Sequence, residues 1–506
     1  MTAFRLSSCF RSGLQRLWVL VLSATLAACA VGPDYERPAI DVGERYGAME
    51  DDPANDGWIV VEADQTVDDQ DWWQRFGDDN LNTMMQRLLE DNYDLEEAEA
   101  RYRQAQAALK ATRSGFFPTV DMSGSMTRSG SGSGTASTRS SSGMGSAGPM
   151  VGGSTIQEQY SLSGNVSWEP DVWGRIRRSV ESDEASLEAS RADKAATRLS
   201  LQSALVQNYF RLRALDAEIR LMDKTVAAYE RSLRTTRNQF DAGIAPPADV
   251  AAATTQLENA RGQRQGLGWQ RTQLVHALAV LQGTAPSAFS LDETDGLTLD
   301  APVIPVGLPA GLLQRRPDVA AAEQRVRQAN AQIGVAKAAW FPDLTLSMQG
   351  GFRSGQWAQW LTAPNRFWSL GPALALTLFD GGARRARSEE AEAGYDAQVA
   401  SYRQTVLEAL RETEDILVEL GSLKEETAIQ ERAREAAQES LRLTRNQYEA
   451  GLIDYLSVVQ VETSALNAER NLLSLRADRL VLTAELITAL GGGWEQHKPV
   501  ENVPEQ

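Results

Sequence analysis

Apolar residues recur in steps of three and four over most of this chain and alternate with polar ones in four short pieces of it. From Arg175 to Ala242 there is neither Gly nor Pro, and Ile219, Met222, Val226, Tyr229, Leu233, Thr236 and Phe240 form the seam of a coiled coil. After Gly243 a second seam returns through Val250, Ala253, Leu257, Ala260, Leu267, Leu274, Leu278 and Leu281. Val458, Val461, Ala465, Ala468, Leu472, Leu475, Leu482, Leu486 and Ala489 repeat it later in the chain. The pattern predicts two antiparallel helical hairpins whose longer arms, at about 65 residues, would reach roughly 100 Å. That length suits crossing a compartment better than building a compact core.

The two-residue alternation predicts strands. Leu344, Leu346 and Met348 point away from Asp343, Thr345, Ser347 and Gln349. Tyr160, Leu162, Val166 and Trp168 alternate with small polar residues, Leu374, Leu376 and Leu378 with Ala375 and Thr377, and Val120 and Met122 open a weaker fourth strand. One apolar and one polar face per strand fits a barrel segment between lipid and water, although four strands cannot close a barrel and a soluble sandwich uses the same alternation. The loops between paired strands differ. Residues from about 123 to 155 are a Ser/Gly tract with nothing to bury, whereas those from about 351 to 370 carry Trp357, Trp360, Phe367 and Trp368, which favour a membrane interface or a packed loop.

The pattern is written twice. RNQFDAG from Arg237 returns as RNQYEAG from Arg445, followed by Ile244 and Leu452, and NYDLEEAEARYRQ from Asn92 returns as RPDVAAAEQRVRQ from Arg316. Gly243 and Gly451 fall where a helix C-terminus needs left-handed backbone, so each heptapeptide reads as the approach to a hairpin tip. Asp94 and Asp318 are expected to cap helices, and Pro118 and Pro342 to end them and start strands. The i, i+5 spacing of Asp94 and Glu99 puts them on different helix faces and argues for structural rather than catalytic roles.

Composition narrows the setting. Arg5, Arg11 and Arg16 precede the apolar run Leu17–Ala28, too short to span a bilayer, which reads as a signal peptide ending in Leu26-Ala27-Ala28-Cys29. That ending resembles a bacterial lipobox, making Cys29 the expected carrier of a diacylglycerol and fatty acid. Ala30 in the next position resembles an outer-membrane sorting outcome. The net charge of −18, deepened by loss of three arginines with the signal, argues against a nucleic-acid partner. Cys9 leaves as well, so one cysteine remains and no internal disulfide forms. His276 and His497 have no companions at ligand spacing, so no metal, cofactor or catalytic residue is expected. No later segment offers a membrane-spanning helix; if the chain crosses a membrane, strands do it. Arg175, Arg177, Arg178 and Arg384, Arg385, Arg387 open the long helices, where positive charge needs a partner, either lipid phosphate or acids such as Glu181 and Glu389.

Together VGPDYERP after Cys29, DWWQRFGDDNL at Asp71, LLQRRPDVAAAE at Leu312, the FFP and WFP strand entries, LFDGG at Leu378 and the two tips resemble the TolC/OprM family of outer-membrane efflux ducts, in its NodT-type lipoprotein branch. The resemblance covers nearly all of the mature chain. It implies a mainly α, internally duplicated α+β membrane protein whose four strands complete a trimeric twelve-stranded outer-membrane β-barrel above long antiparallel coiled-coil hairpins. The implied organisation is a signal peptide over 1–28, a lipid-anchored extension over 29–71, a first module over 72–283, an equatorial linker over 284–311, a second module over 312–491 and a tail over 492–506.

The function so implied is the exit duct of a tripartite efflux system, passing small molecules from an inner-membrane pump of the resistance-nodulation-division (RND) type and a periplasmic adaptor to the exterior. Expected partners are two further copies of the chain, the adaptor, the pump and outer-membrane lipid. Gly243, Ile244, Gly451 and Leu452 match the family's adaptor-docking tips. Asp249 matches a gate carboxylate, with Tyr448, Arg237, Arg445 and Asp454 as further gate candidates by position. Ser457 and Gln460 stand where relatives often carry Asp, which thins the acidic ring. Two other readings stay open: a duct for type I protein secretion, and a lipid-anchored periplasmic adaptor, against which the strands between helices argue.

Overall fold

The computed structural model describes residues 31–43, 46–47, 58–60, 71–130, 156–294, 301–306 and 315–494. Cys29, the signal segment, the tail beyond 494 and most of the Ser/Gly tract, 131–155, lie outside the described residues. The chain divides into two compact units, one of Met1–Glu36, Gln106–Ala185 and Arg327–Asp396, the other of Arg37–Ala105, Ser186–Val326 and Ala397–Gln506. Each is taken by itself.

The first unit holds β2 (Thr119–Gly130), β3 (Ile156–Trp168), β5 (Asp343–Ser354) and β6 (Arg366–Ala375), an antiparallel sheet in the order β2-β3-β5-β6. Register aligns Val120 with Val166 and Met348 with Val166, then Met348 with Leu370, so one face is apolar across all four strands. The opposite face aligns Ser123 with Ser163 and Ser125 with Ser161, whose hydroxyls bond at 3.0 and 2.7 Å. Every residue of β2 is exposed, and within the described residues the outer edges of β2 and β6 have no partner strand.

The strands are longer than expected on the loop side. Residues 123–130 continue β2, and Phe367 and Trp368 belong to β6, which leaves 355–365 as the second loop, with Trp357 and Trp360 packed on Tyr160. At the other end β6 is shorter than expected. It stops at Ala375, the partner of Asp343, because Pro342 has no amide proton with which to extend the ladder, so Leu376 and Leu378 lie beyond the strand.

The second unit contains the hairpins. Helix α1 (Asp79–Asp91) and α2 (Tyr93–Arg113) precede the sheet; α3 (Arg175–Asp241) and α4 (Pro247–Leu281) make the first hairpin; α5 (Pro317–Ala338) precedes the second strand pair; α6 (Ala383–Glu449) and α7 (Tyr455–Ala489) make the second. Each long arm has 67 residues. Asp94 and Asp318 sit inside the first helical turn instead of capping it. Asn92 is the cap of α2, its Oδ1 accepting the Leu95 amide at 3.0 Å while its Nδ2 donates to Leu281 O at 2.9 Å. Asp78 caps α1.

The motif DWWQRF is core: Trp72, Trp73 and Phe76 are buried with Leu81, Met85 and Leu88 against Leu205, Tyr209 and Phe210 of α3, Leu417 of α6 and Leu486 of α7. Burial of each large side chain contributes about 2 kcal/mol. Short β1 (Trp58–Val60) pairs in parallel with β4 (Ile304–Val306), whose side chains Ile304 and Val306 join the same core. The duplication also closes both hairpins alike. Gly283 and Gly491, both at positive φ, lie so near Asp91 O and Arg315 O that a Cβ would come within 2.1 and 2.2 Å of them. Only glycine allows that approach.

Candidate functional site

The two hairpin ends repeat one backbone construction. Gly243 has φ of 73° and Gly451 of 72°. The Ile244 amide bonds Gln239 O at 2.8 Å and the Gly243 amide Phe240 O at 2.9 Å; Leu452 and Gly451 do the same to Gln447 O and Tyr448 O at 2.9 Å. This double closure is a Schellman cap, in which the residue after glycine usually packs back on the helix. Here it does not: Ile244 is 76% and Leu452 74% exposed. The arms below are zipped by Ile219, Met222, Tyr229 and Leu233 of α3, Ala253, Leu257 and Ala260 of α4, and Tyr455 and Val458 of α7. Thus the expected seam is buried or half-buried except at Phe240, which is 42% exposed.

Around the tips the polar candidates separate into distinct contacts. Tyr448 donates to Gln239 Oε1 at 2.8 Å, linking α6 to α3, and its ring lies 5.5 Å from that of Tyr455, whose hydroxyl accepts from Ser232 Oγ at 3.0 Å. Arg445 is paired with Glu462 at 2.7 Å, and the Glu462 side chain is only 5% exposed, with Oε2 lacking any partner. Asp454 caps α7, accepting the Ser457 amide at 3.0 Å and its hydroxyl at 2.6 Å, bonds that hold its carboxyl below the ordinary range. Asp249 sits in the first turn of α4, and desolvation, then the Asp454 charge, push its carboxyl up. Asp249 and Asp454 therefore act on each other as like charges. Arg237 is exposed and makes no ion pair among the described residues.

The basic clusters at the strand–helix junction meet acids. Arg175 binds Glu169 at 2.6 Å, Arg177 Asp171 at 3.3 Å, Arg384 Asp380 at 2.7 Å and Arg385 Glu389 at 2.9 Å. Asp171 also accepts the Ile176 and Arg177 amides, and Asp380 those of Gly382 and Arg384, so a carboxylate offsets both the arginines and the free amides of each helix start. Of the two partners expected for these arginines, acidic neighbours account for the contacts. Arg178 is 7% exposed and spans Glu181 at 2.7 Å, Asp34 at 3.0 Å and the carbonyls of Val31 and Gly32 at 3.3 Å, strapping down the segment that follows the predicted lipid site.

Residues 84–284 and 308–492, two stretches in series, match the family profile described as outer membrane efflux protein. The chain belongs to that family. It is similar to the toluene efflux pump outer membrane protein TtgC of Pseudomonas putida, 30% identical over 483 residues, 94% of this chain and 95% of that one. It is also similar to the cation efflux system protein CusC of Escherichia coli, 27% identical over 484 residues, 95% of this chain and 99% of the other. Among solved structures, the outer-membrane channel OprN superposes with a TM-score of 0.81 at 30% identity, covering 92% of this chain and all (100%) of that one. The open state of the Neisseria gonorrhoeae outer membrane channel MtrE gives 0.76 at 26% identity, with 92% and 98% covered. The protein is an outer-membrane efflux channel, an exit duct.

Within this efflux protein, sequence reasoning missed Glu462 and Gln239. Glu462 had a signal: it lies four residues after Val458 and three before Ala465, on the buried seam of α7 where an acid needs a partner. Gln239 was visible only as part of the repeated heptapeptide. Arg178 meets Glu181, an acid expected for these arginines, while its contacts with Val31, Gly32 and Asp34, far along the chain, were not legible from local sequence. No group of three or more His, Cys, Asp or Glu among the described residues could hold a metal.

Proposed function

We propose that three copies of this chain close one continuous passage, lipid-anchored at Cys29, through which solutes cross from a periplasmic adaptor and an inner-membrane pump without any catalytic step on this protein. The observation that carries the reading is the unpaired edges of β2 and β6. An open four-stranded sheet with an apolar face leaves backbone groups unsatisfied in lipid, and joining β6 of one copy to β2 of the next satisfies them. A second surface agrees. Leu407, Val418, Ile429 and Leu443 of α6 are 47–60% exposed and recur at intervals that return to one helix face, as the flank of a ring of helices would.

The exposed Ile244 and Leu452, presented beside Gly243 and Gly451, are the adaptor-docking contacts, and Asp249, Tyr448, Arg445, Asp454 and Arg237 form the periplasmic constriction. With two hairpins per copy, six similar tips surround one axis. The test is mass and conductance together: detergent-extracted protein should run as a trimer and form discrete channels in planar bilayers. A stable monomer without conductance refutes the proposal. Labelling with a fatty-acid analogue should be lost in Cys29→Ser.

A further inference from the structure

The polar face of the sheet carries few charges, and they are segregated. Along β2 it presents Asp121, Ser123, Ser125, Thr127 and Ser129, and along β3 it presents Gln157, Gln159, Ser161, Ser163, Asn165 and Ser167. Along β5 the same face carries Asp343, Thr345, Ser347, Gln349, Gly351 and Arg353, and along β6 Phe367, Ser369, Gly371, Ala373 and Ala375. The two acids lie toward the helix-bearing end: Asp343 begins β5, and Asp121 aligns through Asn165 with Gln349. Among the described residues the one base of this face, Arg353, lies at the loop end.

Arg353 is held there rather than left to wander. Its guanidinium carbon lies 4.9 Å from the centre of the Phe367 ring, a cation–π contact that fixes the charge without neutralising it. Gly351, paired with both Phe367 and Ser163, lies so close to β3 that a Cβ there would come within 2.0 Å of Leu162 O, so only glycine fits at the position opposite Phe367. Arg353 is exposed and makes no ion pair among the described residues. Two other arginines near this end, Arg128 and Arg366, belong to the apolar face by register.

We infer that Arg353, propped on Phe367, is the charge-selecting residue of the outer end of the passage, a cationic collar that favours anions there. The inference rests on the trimeric channel proposed above. Three unit charges on a ring of ~8 Å radius in water, screened over a Debye length of about 10 Å, alter the local concentration of a monovalent ion about threefold. That is enough to read in a reversal potential.

The experiment uses the full-length protein in planar bilayers under a potassium chloride gradient. Arg353→Gln should raise the potassium-to-chloride permeability ratio about tenfold, since the ring depletes the cation and enriches the anion about threefold each, and Arg353→Glu further, while Arg353→Lys and Phe367→Leu keep the sign of the wild-type preference. In Arg353→Cys, a positively charged methanethiosulfonate reagent should restore the wild-type ratio and a negatively charged one should move it the other way. A conducting Arg353→Glu channel with an unchanged reversal potential, or an Arg353→Cys channel that neither reagent modifies, overturns the collar while leaving the channel intact. Absence of conductance in the wild type refutes the trimeric passage instead.

Discussion

Tyr448 Oη donates to Gln239 Oε1 across 2.8 Å, joining the arm that leads to the second tip to the arm that leads to the first. The repeat is asymmetric at this point, since Phe240 occupies in the first copy the place Tyr448 holds in the second. Each chain therefore owns one such polar joint. Tyr448→Phe removes the hydrogen bond and keeps the ring, a loss of about 1 kcal/mol. The expected outcome is a several-fold higher open probability in single-channel records, with the melting temperature of the extracted protein lowered by only about 1 °C.

Arg445 and Glu462 should behave as a unit. Removing the arginine strands a carboxylate that is 5% exposed and already has one oxygen without a partner. Because Arg445 itself is 45% exposed, solvent moderates the loss, to roughly 2 kcal/mol. Adding Glu462→Gln to Arg445→Ala should recover most of it. A double-mutant cycle on thermal stability measures the coupling, and strictly additive single effects would contradict the pairing.

Asp249 gives the tips a dependence on pH. Its folded-state value is raised by desolvation and by Asp454, so the ionised form opposes the folded tip. This unfavourable contribution is present at neutral pH and fades as pH falls through the raised value toward the ordinary 3.8. Asp454, held low by Ser457, keeps its charge over that window. Asp249→Asn should therefore be slightly more stable than wild type at pH 7, by less than about 1 kcal/mol, with the difference disappearing near pH 4. Paired melting curves across that range check the direction.

Ile244→Asp and Leu452→Asp should weaken capture of the periplasmic adaptor proposed above without lowering thermal stability. The reason is exposure: at 76% and 74% these side chains contribute little to their own fold. Gly243→Ala is the complementary test. With φ at 73° it should cost about 1 kcal/mol and displace the tip, so binding and stability fall together.

Much of this was readable from the amino acids because the signals are periodic. The seams of α3, α4 and α7, the strand faces and the tip glycines each follow from local spacing, and the structure places them accordingly. Leu376 and Leu378 misled because alternation continues past the point where Pro342 ends the ladder. Asp94 misled because Asn92, two residues earlier, was the better cap, tied at the same time to Leu281 O. The arrangement at the tips was less legible: Arg445 finds Glu462 across a hairpin, 17 positions along, and Tyr448 finds Gln239 at a separation of 209. Such partners are chosen by packing between helices, which spacing within one helix does not encode.

The bare edges of β2 and β6 bear on biogenesis. In the trimer proposed above, the described strands of a newly exported copy cannot complete a ladder by themselves, so insertion has to wait for neighbours, and its rate should climb steeply with how many copies arrive together. Scarce synthesis would then leave exposed sheet for periplasmic proteases, and abundance would be decided as much by encounter as by expression.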